Sequence, residues 1–341
     1  MRVLEVIEPG LLTTVQDLGR WGYQQYGVPV AGAMDGYALR LANRLVGNAE
    51  NAAGLEVTML GPVLRFCQST LIVITGGDLM PQINGCSAAM WQTLAVESGD
   101  VLDFGGLQSG CRAYIAIAGG IDVPVIMGSR ATYIRGQLGG YQGRQLKKGD
   151  YLESGNKTKD VAVGTRIPAE LIPMYGDEYK VRVVLGPQDD YFPPESIAAF
   201  LSETYTVTTE ADRMGYRLDG AKIAHKAAAD IISDGISLGS IQVPGHGMPI
   251  VMLADRQTTG GYTKIATVIS SDIPILAQAK PGDKLRFSEI TVGEAHKILR
   301  ETEIKLAAWN PSRSVEVLTS PCRRFRIKVD GCFYEVDVRE G

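Results

Sequence analysis

A mainly β protein of two domains is the fold class the sequence predicts, and three observations carry it. The 341 residues include 40 glycines and only 7% aromatics, and short Val/Ile/Leu runs are parted by turn residues, as in chains of many short strands. Asn84-Gly85 and Asp330-Gly331 each stand between strand-like runs, the pattern of a two-residue hairpin. A small motif recurs at Gly99-Asp100-Val101-Leu102, Gly149-Asp150-Tyr151-Leu152 and Gly282-Asp283-Lys284-Leu285. Both of its leading residues favour turns, so it reads first as a strand entry. Its presence in both halves agrees with two related β units, and the length alone suggests two domains.

Taken in order, the chain opens with a strand over Val3–Ile7 and a Pro-Gly turn. Polar Gln16, Asp17 and Arg20 then precede a Gly-rich stretch from Gly22 to Gly32. Residues 34–48 carry Ala38, Leu41, Ala42 and Leu45 on one helical face, with Asp35 placed to cap the helix and Gly47-Asn48 to end it. Strands follow at Leu55–Leu60, Val63–Phe66, Leu71–Thr75, Met80–Ile83 and Ala113–Ala118. The polar stretch 153–179 is the expected domain boundary, giving a first β domain over 1–175 and a second over 176–295. The second opens with a strand at Lys180–Gly186, a short helix at Pro194–Leu201 and a strand at Tyr205–Thr209. Two apolar runs, Ile250–Ala254 and Ile265–Ile269, flank the polar insert Asp255–Tyr262. Residues 296–341 form the tail, in which a helix over Gly293–Ala307 is followed by a hairpin over Arg323–Val338.

Bulk properties narrow the function. A net charge of −4 argues against a nucleic-acid surface. No apolar run is long enough for a membrane span and no secretory leader is visible, so a cytoplasmic protein is expected. The five cysteines lack any C-x-x-C spacing and read as reduced thiols. Three scattered histidines give no metal site.

No P-loop, Gly-x-Ser-x-Gly or GxGxxG marks a reaction. The candidates are polar residues in Gly-rich company. Asp255, Gln257, Thr258 and Thr259 beside Gly260, Gly261 and Tyr262 are placed to form a donor-rich cradle for an oxyanion. The turn-rich segment from Gln242 to Pro249 lies on the same hairpin-like unit. Asp35 reads either as a general base or as a helix cap. Gln16, Asp17 and Arg20 read either as a positioning cluster or as a solvated turn. Arg213 and Arg217 read either as a clamp for a carboxylate or as surface ion pairs. His246, flanked by glycine, is either a group titrating near neutrality or a solvated loop residue.

Gln16-Asp17-Leu18-Gly19-Arg20, Gly32-Ala33-Met34-Asp35, Leu55-Glu56-Val57-Thr58, Ala118–Pro124, Arg213-Met214-Gly215-Tyr216-Arg217, Gln242-Val243-Pro244-Gly245 and Ala254–Tyr262 together resemble the biotin-dependent carboxyltransferase family. That family is also called the 5-oxoprolinase C subunit family, KipA or, formerly, allophanate hydrolase subunit 2. The resemblance runs in order from about residue 3 to 290. It implies two cyclophilin-like β-barrel domains with a few short helices, and a KipI-like companion subunit as partner. It also implies biotin as cofactor, carboxylated on another subunit or a biotin carrier protein, and ATP used at the level of the complex. The implied activity is carboxyl transfer from carboxybiotin to a small amide or urea-like substrate. The family also contains subunits of ATP-dependent 5-oxoprolinase and a non-catalytic antagonist of a KipI-like kinase inhibitor. Met248 stands where many members carry Gln. The hairpin from Phe325 to Val338 resembles the opening of a biotinyl carrier domain, but stops before any biotinylation lysine.

Overall fold

The computed structural model describes residues 2–157, 159–309, 322–329 and 332–339. The first half contains β1 (Arg2–Glu8), β2 (Leu12–Gln16), α1 (Gly36–Leu45), β3 (Gly54–Thr58), β4 (Val63–Phe66), β5 (Thr70–Asp78), β6 (Pro81–Ile83), β7 (Cys86–Ser87), β8 (Leu94–Val96), β9 (Val101–Phe104), β10 (Ser109–Ile117), β11 (Ile121–Asp122) and β12 (Tyr151–Ser154). These strands form two sheets, ordered β11-β12-β1-β4-β9-β6-β7 and β2-β3-β10-β5-β8. Val3, Leu4 and Val6 from one sheet pack with Leu55, Val57 and Ile115 from the other in a single core. Helix α1 lies outside this pair. Its Ala38, Leu41 and Leu45 join Val73, Tyr114 and Ala116 in a second core.

The second half contains β13 (Glu178–Leu185), α2 (Pro194–Ser202), β14 (Tyr205–Val207), β15 (Gly215–Asp219), β16 (Asp230–Gly235), β17 (Ser240–Val243), β18 (Ile250–Met252), β19 (Thr259–Val268), α3 (Ile273–Leu276) and β20 (Lys284–Glu289). The order β13-β20-β14-β15-β18-β17-β19 closes on itself, because β13 pairs with β20 on one side and β19 on the other. Closure removes the free edges that would otherwise template aggregation. Val181, Tyr205, Ile241, Val251 and Ile265 fill the barrel. β16 lies outside the ring, paired with the first residues of β19. Helix α4 (Val292–Ala308) and the hairpin of β21 (Cys322–Val329) and β22 (Cys332–Arg339) follow. The Asp330-Gly331 turn expected there falls outside the described residues.

Local chemistry explains most element boundaries. At the Asn84-Gly85 turn both residues have positive φ, 53° and 77°, as a type I′ hairpin requires. The three Gly-Asp entries share one geometry. In each, the aspartate accepts the backbone N–H of the residue three before it: Glu97 to Asp100 at 2.8 Å, Lys147 to Asp150 at 2.7 Å and Lys280 to Asp283 at 2.9 Å. The intervening glycines 99, 149 and 282 sit at φ of 96°, 84° and 95°. The motif is therefore a turn device used in both halves. The expectation of five reduced thiols fails at Cys86, which is disulfide-bonded, while Cys67 and Cys111 are free.

The halves are stitched together through buried polar groups. The segment before α1 crosses over: Met34 packs in the barrel core and the Ala31 N–H donates to the Ala254 carbonyl at 3.1 Å. Gly32, at φ 85°, admits no side chain, since a Cβ would lie 2.7 Å from the Gly19 nitrogen. Gln278, just after α3, reaches into the first half. Its Oε1 accepts the N–H groups of Cys111 and Arg112 at 3.0 and 2.9 Å, and its Nε2 donates to the Arg112 carbonyl at 3.0 Å. Arg112 returns the contact by donating to Tyr216 Oη at 2.6 Å. Replacing Gln278 by Leu keeps the volume but strands these buried groups. We expect Gln278→Leu to cost about 3 kcal/mol in urea unfolding. A change within about 0.5 kcal/mol would show that this joint contributes little.

Candidate functional site

Three of the residues singled out from sequence meet in one buried network at the junction of the halves. Asp35 caps α1, accepting the Ala38 N–H at 2.9 Å, and also accepts Gln278 Nε2 at 2.8 Å and Tyr175 Oη at 3.3 Å. Its own N–H donates to Tyr114 Oη at 2.7 Å, and that hydroxyl donates to Glu56 Oε2 at 2.8 Å. Arg213 ties Glu56 to Asp255, gripping the latter through Nε and Nη2 at 3.0 and 2.8 Å and donating to the Gly32 carbonyl at 2.6 Å. Burial raises the Asp35 carboxyl to about 6, against the pull of its three donors. Burial also raises Asp255, and Arg213 opposes that shift. All three Arg213 nitrogens are engaged within the protein. The geometry is that of a fastener between halves, with Asp35 serving as the cap.

Gln16, Asp17 and Arg20 hold a different loop. Gln16 Nε2 donates to the Thr132 carbonyl at 3.1 Å, and Arg20 donates to the carbonyls of Ile126 and Ala131 at 3.0 and 2.9 Å. Asp17 accepts Ser129 Oγ at 2.7 Å and the Arg130 N–H at 2.6 Å. All three side chains are buried, so the solvated-turn reading does not describe them. Arg217 is exposed and pairs with Glu210 at 3.2 Å. His246 is exposed and accepts the Met248 N–H at 3.1 Å.

The insert Asp255–Tyr262 is divided. A turn closed by the Arg256 N–H on the Leu253 carbonyl at 3.2 Å opens it, and β19 begins at Thr259 because β16 supplies a partner, with Gly235 opposite Thr259 and Asp234 opposite Gly260. Gln242, Gly260 and Tyr262 come together: Gln242 Nε2 donates to the Tyr262 carbonyl at 3.5 Å, and a Cβ on Gly260 would sit 2.8 Å from that nitrogen. Gln257 is half-buried and Thr259 exposed.

Thr258 lines a polar cavity of about 370 Å³ together with Asp234, Ser237, Ser240, Lys264 and Thr267. Lys264 is the residue that sequence reasoning missed. Its side chain is 3% exposed and its ammonium reaches Asp234 at 2.8 Å. The hydrogen bond from Lys264 holds Asp234 below the usual carboxylate range. Ser237 and Ser240 share a hydrogen bond at 2.8 Å. A buried cation with hydroxyls beside it is equipped to hold an anionic oxygen. The available signal was a lysine immediately before the apolar run Ile265–Ile269, a placement rarely left without a partner once buried.

A family model described as carboxyltransferase domain, subdomain A and B, matches residues 26–289. The 5-oxoprolinase C subunit of Escherichia coli is 36% identical over 309 residues, which cover 90% of this chain and 98% of that protein. The urea amidolyase of Saccharomyces cerevisiae is 38% identical over 319 residues, covering 88% of this chain but 17% of that much longer protein. Among solved structures, the K. lactis urea amidolyase superposes with a TM-score of 0.85 at 34% identity, over 89% of this chain and 20% of that one.

The Asp35 shift has a definite sign. The folded chain holds the proton more tightly than the unfolded one, so this group's contribution is full below pH 3.8 and lost as pH rises through about 6. Between about pH 4.5 and about pH 7.5 the chain should lose on the order of 2 kcal/mol relative to Asp35→Asn. Urea midpoints across that range measure it, and parallel curves for the two proteins would contradict it.

Proposed function

The chain belongs to the carboxyltransferase family of subdomains A and B, and on that premise we propose that it is the carboxyl-transfer subunit of a biotin-dependent complex. The observation that carries this reading is the Lys264 ammonium, buried beside Asp234 among the hydroxyls of Thr258, Ser237 and Ser240. Carboxybiotin, when bound, supplies an activated carboxyl group on a ureido nitrogen. The donor set fits such a group, since one buried cation and several hydroxyls match an anionic carboxylate next to a urea carbonyl. In this reading Lys264 holds the anionic oxygen and Thr258 donates a second hydrogen bond. Asp234 keeps the ammonium in place and can accept a hydrogen bond from the N–H of a small amide or urea-like substrate, which orients it. Thr259, Gly260, Gly261, Tyr262 and Gln257 form the rim that meets the substrate. Gln242 sets the spacing of that rim. Asp35, Asp255 and Arg213 hold the two halves in register, and ATP is consumed elsewhere in the complex.

A partner is part of the proposal. Two relatives carry the matching region as a small part of one long chain, and the name of the E. coli relative marks it as one subunit of an enzyme. β16 stands outside the barrel with Ile232 95% exposed, and Met174 is 94% exposed. Such apolar residues suit a docking face for a KipI-like companion subunit. Among the described residues no helix is long and apolar enough to cross a membrane, and we place the complex in the cytoplasm.

A second reading, the C subunit of an ATP-dependent 5-oxoprolinase, is favoured by the nearly full-length match to the E. coli protein. Purification of the native complex separates the two. A streptavidin-reactive companion and bicarbonate-dependent turnover with urea support carboxyl transfer. A biotin-free complex that turns over ATP only with 5-oxoproline supports the hydrolase. In either complex, Lys264→Met should lower kcat by about 10²-fold or more, and Thr258→Val by about tenfold, with the fold retained. Unchanged turnover in Lys264→Met would remove this cavity from the chemistry.

A further inference from the structure

A second cavity, of about 600 Å³, opens where α1, α3 and α4 meet at the junction of the halves. It shares no lining residue with the Lys264 cavity. Its walls are largely aliphatic, with Leu18, Met34, Leu238, Ile275 and Leu299 among them. One buried cation lines it. Arg256 is 5% exposed and, among the described residues, donates only to the backbone carbonyls of Ile236 and Leu253, at 3.0 and 3.2 Å. Among the described residues no carboxylate lies within ion-pairing distance of it.

Several arginines near the junction are paired with carboxylates: Arg213 has Glu56 and Asp255, Arg182 has Asp272, and Arg40 has Glu50 and Glu303. Buried Arg112 and Arg20 rest on neutral oxygens as Arg256 does, but of these three only Arg256 lines the cavity. Burial pulls Arg256 down to about 10, with no opposing charge to offset it. Ser271 also lines the cavity, while its hydroxyl is closed off from the open space and has no hydrogen-bond partner among the described residues. A buried guanidinium without a counter-charge is costly to the folded chain unless a ligand satisfies it. The lining also carries Arg40 and Arg182, both already paired with carboxylates, and exposed Lys305 and Glu170, whose charges offset one another, so no cluster of free cations awaits a polyanion. The space is also much larger than a small inorganic anion needs, and its apolar walls suit a hydrocarbon body.

From this geometry we infer that the junction cavity binds a small aliphatic monocarboxylate, with its carboxylate on Arg256 and its chain against the aliphatic walls. Helix α4 closes one side and is held down by the paired hydrogen bonds of Arg40 to Glu303, both at 2.7 Å. A bound acid therefore bridges the two halves and α4. The site stands independently of the carboxyl-transfer reading.

Calorimetric titration of the full chain with hexanoate tests the inference, with hexanol as the uncharged control. One hexanoate should bind per chain, and hexanol about tenfold more weakly or worse, since only the acid satisfies the cation. Arg256→Met should abolish that preference. Because Arg256 also holds two loop carbonyls, this variant risks unfolding, so Ile275→Trp, which fills the cavity from α3, provides the second arm. It should lose hexanoate binding by about tenfold or more while keeping its circular dichroism. Thr258→Val should bind hexanoate as the parent does, which separates failure here from failure of the proposed chemistry. Absence of hexanoate binding to the folded parent chain, equal binding of hexanol, or undiminished binding in folded Ile275→Trp would overturn the inference.

Discussion

The guanidinium of Arg213, shared between Glu56 of the first half and Asp255 of the second, is the interaction on which the arrangement depends. Both carboxylates are almost fully buried, so their charges depend on the protein groups around them. Two anions around one cation leave an excess of negative charge. The nearby buried Arg112 offsets part of it, and the neighbouring Asp35, raised chiefly by its burial and only lastly by the charge of Glu56, takes up a proton more readily than an ordinary aspartate. The cluster is balanced only when both halves are docked. That makes the junction polar yet specific, since a shifted register would leave a buried charge without its partner.

This joint sets the position of the candidate chemistry. Asp255 is followed by Arg256, Gln257 and Thr258, so the residue gripped by Arg213 lies three positions before the hydroxyl that lines the Lys264 cavity. β19 then carries the chain from Thr259 to Lys264 as a strand paired first with β16 and then with β17. A site built on a closed barrel and anchored at its entry turn is held more firmly than one on a free loop.

Features governed by local chemistry were legible in the sequence, and those that depend on distant partners were not. Helix α1 and its Asp35 cap were readable because the cap bond spans three residues. The Asn84-Gly85 hairpin and the Gly-Asp entries were readable for the same reason. The cradle around Thr258 was seen only in part. β16 has an exposed, irregular pattern with no apolar alternation, so nothing announced that Thr259 to Tyr262 would be strand. Lys264 meets Asp234 across 30 residues, and Arg213 meets Glu56 across 157. A sequence pattern shows that such a residue is polar in apolar company, but not which group completes it. Arg213 therefore read as a ligand clamp or, more simply, as a surface pair, and the fold gives it a third place, in the joint.

The central claim is that a shared buried cation locks the halves and so fixes the site. A double-mutant cycle on Glu56→Gln and Arg213→Met, read by urea unfolding, tests it most directly. The account predicts a coupling energy of about 2 kcal/mol or more, because each single change strands the other's charge. Effects that add within about 0.5 kcal/mol would contradict it, since the two groups would then stabilise the chain independently.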